Sequence, residues 1–362
     1  GDIIMAGDIS MPSLPEGSGK GSSRRSRQQF RHENGKTQRS MSQFYPKWYS
    51  LTWFCYTTLL TLSLTIIAPT IAIQAASTEI IHPLSYGAWL GNFPTVANIH
   101  DFEQLSGHHL DGANFFINWS TSFSFIEPSL QALDKNQSQA MVTWEPWGYN
   151  SLLINNGQTD NYIHDFARSA RSYGKTFLLR PMHEMNSNWY PWALGDSKVN
   201  TNTSNIQAWK HIVNIFRQEG ATNAKFVWCI NAGGVGAGAS FVGAYTGGVY
   251  DDYVGVDGYN WGTTQSWGST WTTFDQTFSS SYQALTRISS KPVLIPEWAS
   301  AEIGGNKAAW IADAFQQLSS SKYSRIVGVY WFHMKKETDW RIDSSQAALE
   351  AYKSALKLKV LR

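Results

Sequence analysis

Beyond residue 80 the chain settles into a rhythm of short apolar runs separated by longer amphipathic stretches. The runs fall at residues 84–90, 113–118, 140–144, 177–180, 225–230, 253–257, 292–295 and 325–331. Helix-like stretches fall between and after them, at roughly 96–105, 127–135, 160–173, 204–219, 274–289, 307–319 and 344–356. The stretch at 204–219 is the clearest, because Ile206, Trp209, Ile212, Val213 and Phe216 make one apolar stripe and Gly220 supplies a stop. Runs such as Val293-Leu294-Ile295 and Ile326-Val327-Gly328-Val329 are apolar on both faces, as strands covered by helices must be. Eight such units over about 280 residues predict an α/β fold, a closed (β/α)8 barrel of the TIM type. The alternative is an open doubly wound sheet. That fold needs a glycine-rich phosphate loop after its first strand, and Tyr86-Gly87-Ala88-Trp89-Leu90-Gly91 is not one. The fifth crossover, between 230 and 251, carries Gly233, Gly234, Gly236 and Gly238 and is predicted to hold little helix.

The residues before the barrel have a different character. Residues 1–40 are rich in Gly, Ser, Gln and Arg without apolar periodicity, and read as a disordered basic extension or as non-native sequence ahead of a start at Met41. Residues 51–73 carry no formal charge, follow Lys47, and lead into Ala75-Ala76-Ser77. Residues 41–76 therefore read as a cleaved signal peptide, or as an uncleaved anchor helix long enough to span a bilayer. Either reading makes 77–362 the catalytic domain and puts it outside the cytoplasmic membrane: secreted, periplasmic, or anchored to the outer face, with membrane contact only through 51–73. Cys55 and Cys229 are not expected to pair, and neither has metal-ligand spacing with another cysteine.

Charge excludes one class of partner. Residues 1–47 carry eight Lys/Arg against four Asp/Glu, leaving 21 against 23 for the rest, so the folded part shows no nucleic-acid footprint. Seventeen tryptophans are more than a core of this size needs, an excess that fits a large core, a carbohydrate or ligand cleft, or both, and a neutral polymer suits the near-zero charge better than a phosphorylated one.

Two glutamates stand where apolar runs end. Arg180-Pro181-Met182-His183-Glu184-Met185-Asn186 closes the fourth run and Val293-Leu294-Ile295-Pro296-Glu297-Trp298 the seventh. Both belong at the C-terminal rim of a barrel, where barrel chemistry occurs. A glycosidase needs one carboxylic acid to protonate a leaving oxygen and one carboxylate facing the sugar carbon; for retention they stand about 5–5.5 Å apart. Glu184 would be the acid and later the base, and Glu297 the nucleophile. The acid needs a raised pKa, which a tryptophan-lined pocket supplies.

These segments resemble glycoside hydrolase family 26. His183-Glu184-Met185-Asn186 with Trp189-Tyr190-Pro191-Trp192 is similar to its acid/base segment, and residues 292–298 are similar to its nucleophile strand. Val256-Asp257-Gly258-Tyr259-Asn260-Trp261, Trp331-Phe332 and Asp339-Trp340-Arg341 match as well, so the resemblance covers essentially residues 84–355. It implies endo-acting retaining β-glycanases: chiefly β-1,4-mannanases, with β-1,3-1,4-glucanases and some β-1,3-xylanases. It further implies that His183 holds the reacting centre in place, that Tyr259 hydrogen-bonds the nucleophile, and that Trp189 and Trp331 wall the subsite of the reacting sugar.

The remaining candidates follow from position. Arg180 ends its strand and should be buried and paired, since an unpaired buried guanidinium is costly. Asp257 and Tyr259 are two apart and share a side of a regular strand. Trp144 and Glu145 close the third run, where Glu145 would bind sugar hydroxyls or tune charge. Trp119, Trp261, Trp298 and Asn260 complete the expected substrate-binding set. His183 and Glu184 would point to opposite faces of a regular strand, so both reach a sugar only if the strand end is irregular. A zinc reading of His-Glu fails because the residue four beyond His183 is Ser187.

A sugar-binding barrel without catalysis would explain the aromatics but not two opposed glutamates. A transglycosylase using the same pair would leave no separate sequence mark. The expected partner is a β-linked polysaccharide or oligosaccharide, with β-1,4-mannan slightly ahead of β-1,3-1,4-glucan. No nucleic acid, metal or other cofactor is expected, and a monomer is.

Overall fold

The computed structural model describes residues 84–357. The segments 1–40 and 41–76, with Cys55 and the apolar run 51–73, lie outside the described residues. Eight parallel strands close into a barrel in chain order. They are β1 (Ser85–Trp89), β2 (Gly112–Asn118), β3 (Gln139–Glu145), β4 (Phe177–Pro181), β5 (Ala224–Asn231), β6 (Tyr253–Asn260), β7 (Val293–Ser300) and β8 (Ile326–Phe332). The helices are α1 (Val96–Ser106), α2 (Phe123–Lys135), α3 (Ser151–Asn155), α4 (Asp160–Tyr173), α5 (Asn202–Gln218), α6 (Phe274–Ile288), α7 (Lys307–Leu318) and α8 (Gln346–Leu356). The fifth crossover holds only a single 3-10 turn, Val242–Ala244. Among the described residues no helix is long and apolar enough to cross a membrane.

Local chemistry sets the helix starts. Thr95, Thr201 and Thr273 cap α1, α5 and α6 by accepting a backbone N–H three residues on, while the side chain of that third residue reaches back to the cap. Helix α2 begins four residues before its expected start. Pro128 reads as a first-turn residue in the sequence, yet it sits inside the helix.

The two faces of each strand have separate duties. Met141, Leu178, Val227, Cys229, Leu294 and Tyr330 fill the barrel's interior. The opposite faces join the helices in one continuous core. Tyr330 fits inside because β1 and β2 offer glycines there: a Cβ on Gly87 would stand 2.4 Å from the Tyr330 ring, and one on Gly112 3.0 Å. Strands β6 and β7 run further than their apolar patterns. Their pairing is irregular, with register shifts between Gly255 and Gly258 and between Ile295 and Trp298.

Candidate active site

Above the apolar interior, several inward side chains toward the C-terminal ends of the strands are polar, among them Asn114, Thr143, Glu145, Arg180, Asp257 and Glu297. Arg180 of β4 is fully buried and crosses the barrel. Its Nε donates to Thr143 Oγ1 at 2.9 Å, and its two terminal nitrogens pair with Asp257 of β6 and Glu297 of β7. Thr143 Oγ1 in turn donates to Asn114 Oδ1 at 2.6 Å, and Asn114 Nδ2 donates to Pro296 O at 3.3 Å. Five strands thus hold one guanidinium. Burial opposes its charge, but Asp257 and Glu297 hold its pKa well above the ordinary value. Burial pushes the Asp257 carboxyl up to about 8 against the pull of Arg180.

Two backbone irregularities aim the glutamates. Beyond β4, Met182 and Glu184 take φ of 49° and 53°, a region that residues other than glycine seldom adopt. Met182 and Met185 turn outward to line a crevice with Trp209 of α5 and Trp228 of β5. His183 and Glu184, though adjacent, both reach the barrel mouth. Glu184 N donates to Cys229 O at 2.9 Å, which fixes the turn. On β7, Leu294 lies in the barrel interior and so does Glu297, three residues on. An odd spacing on one face requires the register shift seen there.

Hydrogen bonds hold several of the site's polar atoms in place. Tyr259 Oη donates to Glu297 Oε2 at 2.7 Å while Arg180 donates to Oε1, so both oxygens of this carboxylate are held. Trp189 Nε1 donates to Glu184 Oε2 at 3.1 Å. Burial, then the charges of Asp257 and Glu297, raise Glu184 well above the usual carboxylate range. His183 Nε2 shares a 2.9 Å hydrogen bond with Tyr190 Oη and stands 3.9 Å from Glu297 Oε1. Burial, with Arg180 and Lys336 nearby, holds its imidazole well below the usual range, so the ring is neutral. Trp192 Nε1 donates to His183 O at 2.8 Å, and Tyr190 stacks on Trp192 at 4.4 Å. Burial raises Tyr259 well above its ordinary value and the Glu297 charge adds to this, so the phenol remains a donor. Glu145 also faces the mouth: its Oε2 accepts from Trp147 Nε1 at 3.2 Å, and burial pushes its carboxyl up to about 7.

Several expected sugar-facing residues lie elsewhere. Trp144 packs on Phe166 of α4 and Phe216 of α5, and donates Nε1 to Tyr162 Oη at 2.9 Å. Trp119 lies tilted against it, with ring centroids 4.6 Å apart. Trp298 lies against Phe274, Trp310 and Phe315. Trp331 sits between Trp298, Trp310 and Tyr352, with Nε1 bonded to Trp340 O at 2.8 Å. All four are buried. The cause for the three strand residues is strand alternation: Glu145, Glu297 and Phe332 occupy the inward positions, so their neighbours Trp144, Trp298 and Trp331 point into the helix layer. Asn260 is fully buried and structural, its Nδ2 donating to Ser300 Oγ at 2.9 Å and its Oδ1 accepting from Thr272 N at 2.9 Å. Asp257 is a counter-ion beneath the site rather than part of its wall. Trp189 and Trp261 are half-buried at the rim.

The sequence reading did not single out Phe332, Tyr190, Trp147 or Lys336. Phe332 shares the inward face of β8 with Tyr330 and meets Tyr259 edge-on at 5.7 Å. Alternation along β8 was the signal that would have found it. Lys336 lies beyond β8 in a short hairpin bridged by Lys335 and Asp339, and no strand pattern marks it. Among the described residues no group of three or more His, Cys, Asp or Glu side chains is placed to hold a metal ion.

Known proteins are similar to this chain in sequence and in fold. Endoglucanase H of Acetivibrio thermocellus is 53% identical over 274 residues, 75% of this chain; the chain spans 30% of that relative's length. Among solved structures, a Cellulomonas fimi endo-β-1,4-mannanase double mutant superposes with a TM-score of 0.59 at 13% identity, covering 75% of this chain and 70% of that one. The Bacillus subtilis mannanase BCman gives 0.54 at 18% identity, covering 75% and 85%. At such identities the solved structures share the fold. The family model for glycosyl hydrolase family 26 matches residues 137–334, a span that holds both glutamates. This chain belongs to glycosyl hydrolase family 26.

Proposed function

We propose that this protein is an endo-acting retaining β-glycosidase that hydrolyses a β-linked polysaccharide, with Glu297 as nucleophile and Glu184 as acid and base. One observation carries this reading: two glutamates share a mouth but have opposite environments. Glu297 is held by a guanidinium and a phenol, both of which favour its charged form. Glu184 is buried and pushed toward its neutral form. Separated environments of this kind assign an acid and a base.

In the first step Glu297 attacks the anomeric carbon while the Glu184 proton passes to the departing glycosidic oxygen. A glycosyl ester forms and the aglycone leaves. In the second, Glu184 takes a proton from water, whose oxygen attacks the same carbon and releases Glu297. Tyr259 and Arg180 orient the nucleophile. The neutral ring of His183 stands beside it, tied to Tyr190. Phe332, Trp189 and Trp261 supply apolar surface for pyranose rings, and Glu145 accepts from sugar hydroxyls. Residues 77–362 form the catalytic domain, with 41–76 as a signal or anchor.

For the substrate we place β-glucan, in its β-1,3-1,4-linked form, ahead of β-1,4-mannan. The relative at 53% identity is named an endoglucanase, whereas the mannanases match at identities that show the fold alone. Mannan is the second reading, favoured by the family resemblance of the sequence. Reducing-sugar release from lichenan, galactomannan and β-1,3-xylan, measured in parallel, tests both. Cleavage of lichenan above galactomannan supports the first order and the reverse supports the second. No release from any of them would overturn the hydrolase reading.

A further inference from the structure

Trp267 is 60% exposed, and nothing in the reaction described above uses it. A single exposed apolar side chain needs no explanation in general. This one differs in its support and its neighbours. It sits in the loop joining β6 to α6, in a turn closed by Gly268 N donating to Gln265 O at 3.2 Å. The ends of the loop are pinned together: Asn260 Oδ1 accepts from both Gly262 N at 3.2 Å and Thr272 N at 2.9 Å. Inside it, Thr264 Oγ1 donates to Trp261 O at 2.7 Å and Gln265 N donates to Ser269 Oγ at 3.1 Å. Asn260, Thr264 and Ser269 are thus engaged in holding the loop's own backbone, while Trp267, the most exposed of its three tryptophans, is turned to solvent.

The ring is also continuous with the catalytic site. Trp267 meets Trp261 edge-on at 6.2 Å, Trp261 lies 5.7 Å from Tyr259, and Tyr259 bonds Glu297. A row of aromatic rings therefore leads from the nucleophile outward along the rim. A polysaccharide cleaved internally has to leave the catalytic site along the rim on both sides. A fixed, exposed indole at the end of such a row suits the apolar face of a pyranose.

We propose that Trp267 forms a distal subsite that stacks on a sugar unit of the same polysaccharide, beyond those flanking the cleaved bond. The proposal rests on the hydrolase reading above. It makes Trp267 a determinant of chain-length preference and not of the chemical step.

The test compares wild type, Trp267→Ala and Trp267→Phe on a series of β-glucan oligosaccharides of increasing length and on the polymer, with thermal midpoints as a folding control. Trp267→Ala should raise KM on the polymer by about threefold to tenfold, the scale of one lost aromatic contact. The ratio of mutant to wild-type KM should grow with oligosaccharide length, with kcat moving less, and Phe should restore most of the loss. A KM ratio independent of length, or no change on the polymer, would overturn the proposal while leaving the hydrolase reading intact. If Ala lowers the thermal midpoint, the Phe variant decides, because a ring that merely packs on Trp261 would give no length dependence. A wild type that cleaves no β-glycan would sink the hydrolase reading and this subsite with it.

Discussion

Replacing Glu145 by Gln should stabilise the protein at alkaline pH and not at acidic pH. The Glu145 carboxyl is buried at the end of β3 and accepts one indole N–H, from Trp147. Burial, reinforced by the Glu297 charge, pushes it from 4.5 up to about 7 against the Trp147 bond, Arg180 and Lys336. A carboxyl with a folded pKa above its unfolded value binds its proton more tightly when folded. The stability this contributes is fully present below the unfolded value and is lost as pH rises through the folded one. At 1.36 kcal/mol per unit, the shift corresponds to about 3 kcal/mol lost between pH 4.5 and 7. Gln keeps an acceptor for Trp147 and cannot ionise. The free-energy gain of Glu145→Gln over wild type, from urea denaturation, should therefore be about 3 kcal/mol larger at pH 8 than at pH 4. Equal gains at the two pH values, or a net loss at pH 8, would refute the assignment of Glu145 as a destabilising buried acid kept at the mouth for binding.

Three further outcomes separate roles within the site. Tyr259→Phe removes a donor from a charged oxygen, a loss of about 1.5–3 kcal/mol, and should lower kcat/KM by roughly 10- to 150-fold, which steady-state kinetics would reveal. Trp331→Ala should cost about 3–5 kcal/mol of stability in denaturation because it hollows the layer under α7 and α8, whereas Phe332→Ala should chiefly raise KM. For Glu184, which burial raises well above 4.5, the protonated form is the active one. The kcat/KM profile should fall as pH rises through its pKa, with that limb well above the ordinary carboxylate range. With Glu184→Ala and an activated aryl leaving group, the limb should vanish.

The barrel was legible because each strand is apolar on both faces and each helix carries one stripe, so the alternation is written into the order of residues. Helix α5 is the clearest instance, its expected stripe of Ile206, Trp209, Ile212, Val213 and Phe216 facing inward except for Ile206, which is half-buried. The glutamates were legible because each follows such a run. Direction at the strand ends was not. The expectation chose Trp331 where Phe332 faces the mouth, and placed Trp144 and Trp298 beside the sugar where alternation sends them under the helices. Tryptophan is attractive as a sugar platform, but its size equally suits the gap between barrel and helices. The left-handed backbone at Met182 and Glu184 and the shift on β7 have no periodic signal, since they arise where the chain leaves the regular sheet. Nor could local pattern join Asn114, Thr143, Arg180, Asp257 and Glu297, which five crossovers separate along the chain and closure of the barrel brings together.

The central claim is that Glu297 forms a covalent glycosyl ester that Glu184 then helps to hydrolyse. Two displacements at one carbon return its configuration, and a single displacement inverts it. Proton NMR of the first-formed reducing end, recorded before mutarotation with a cleaved β-glycan, reads this directly. The β-anomer should appear first and the α-anomer only later, as mutarotation proceeds; an α-anomer formed first would contradict the nucleophilic role of Glu297.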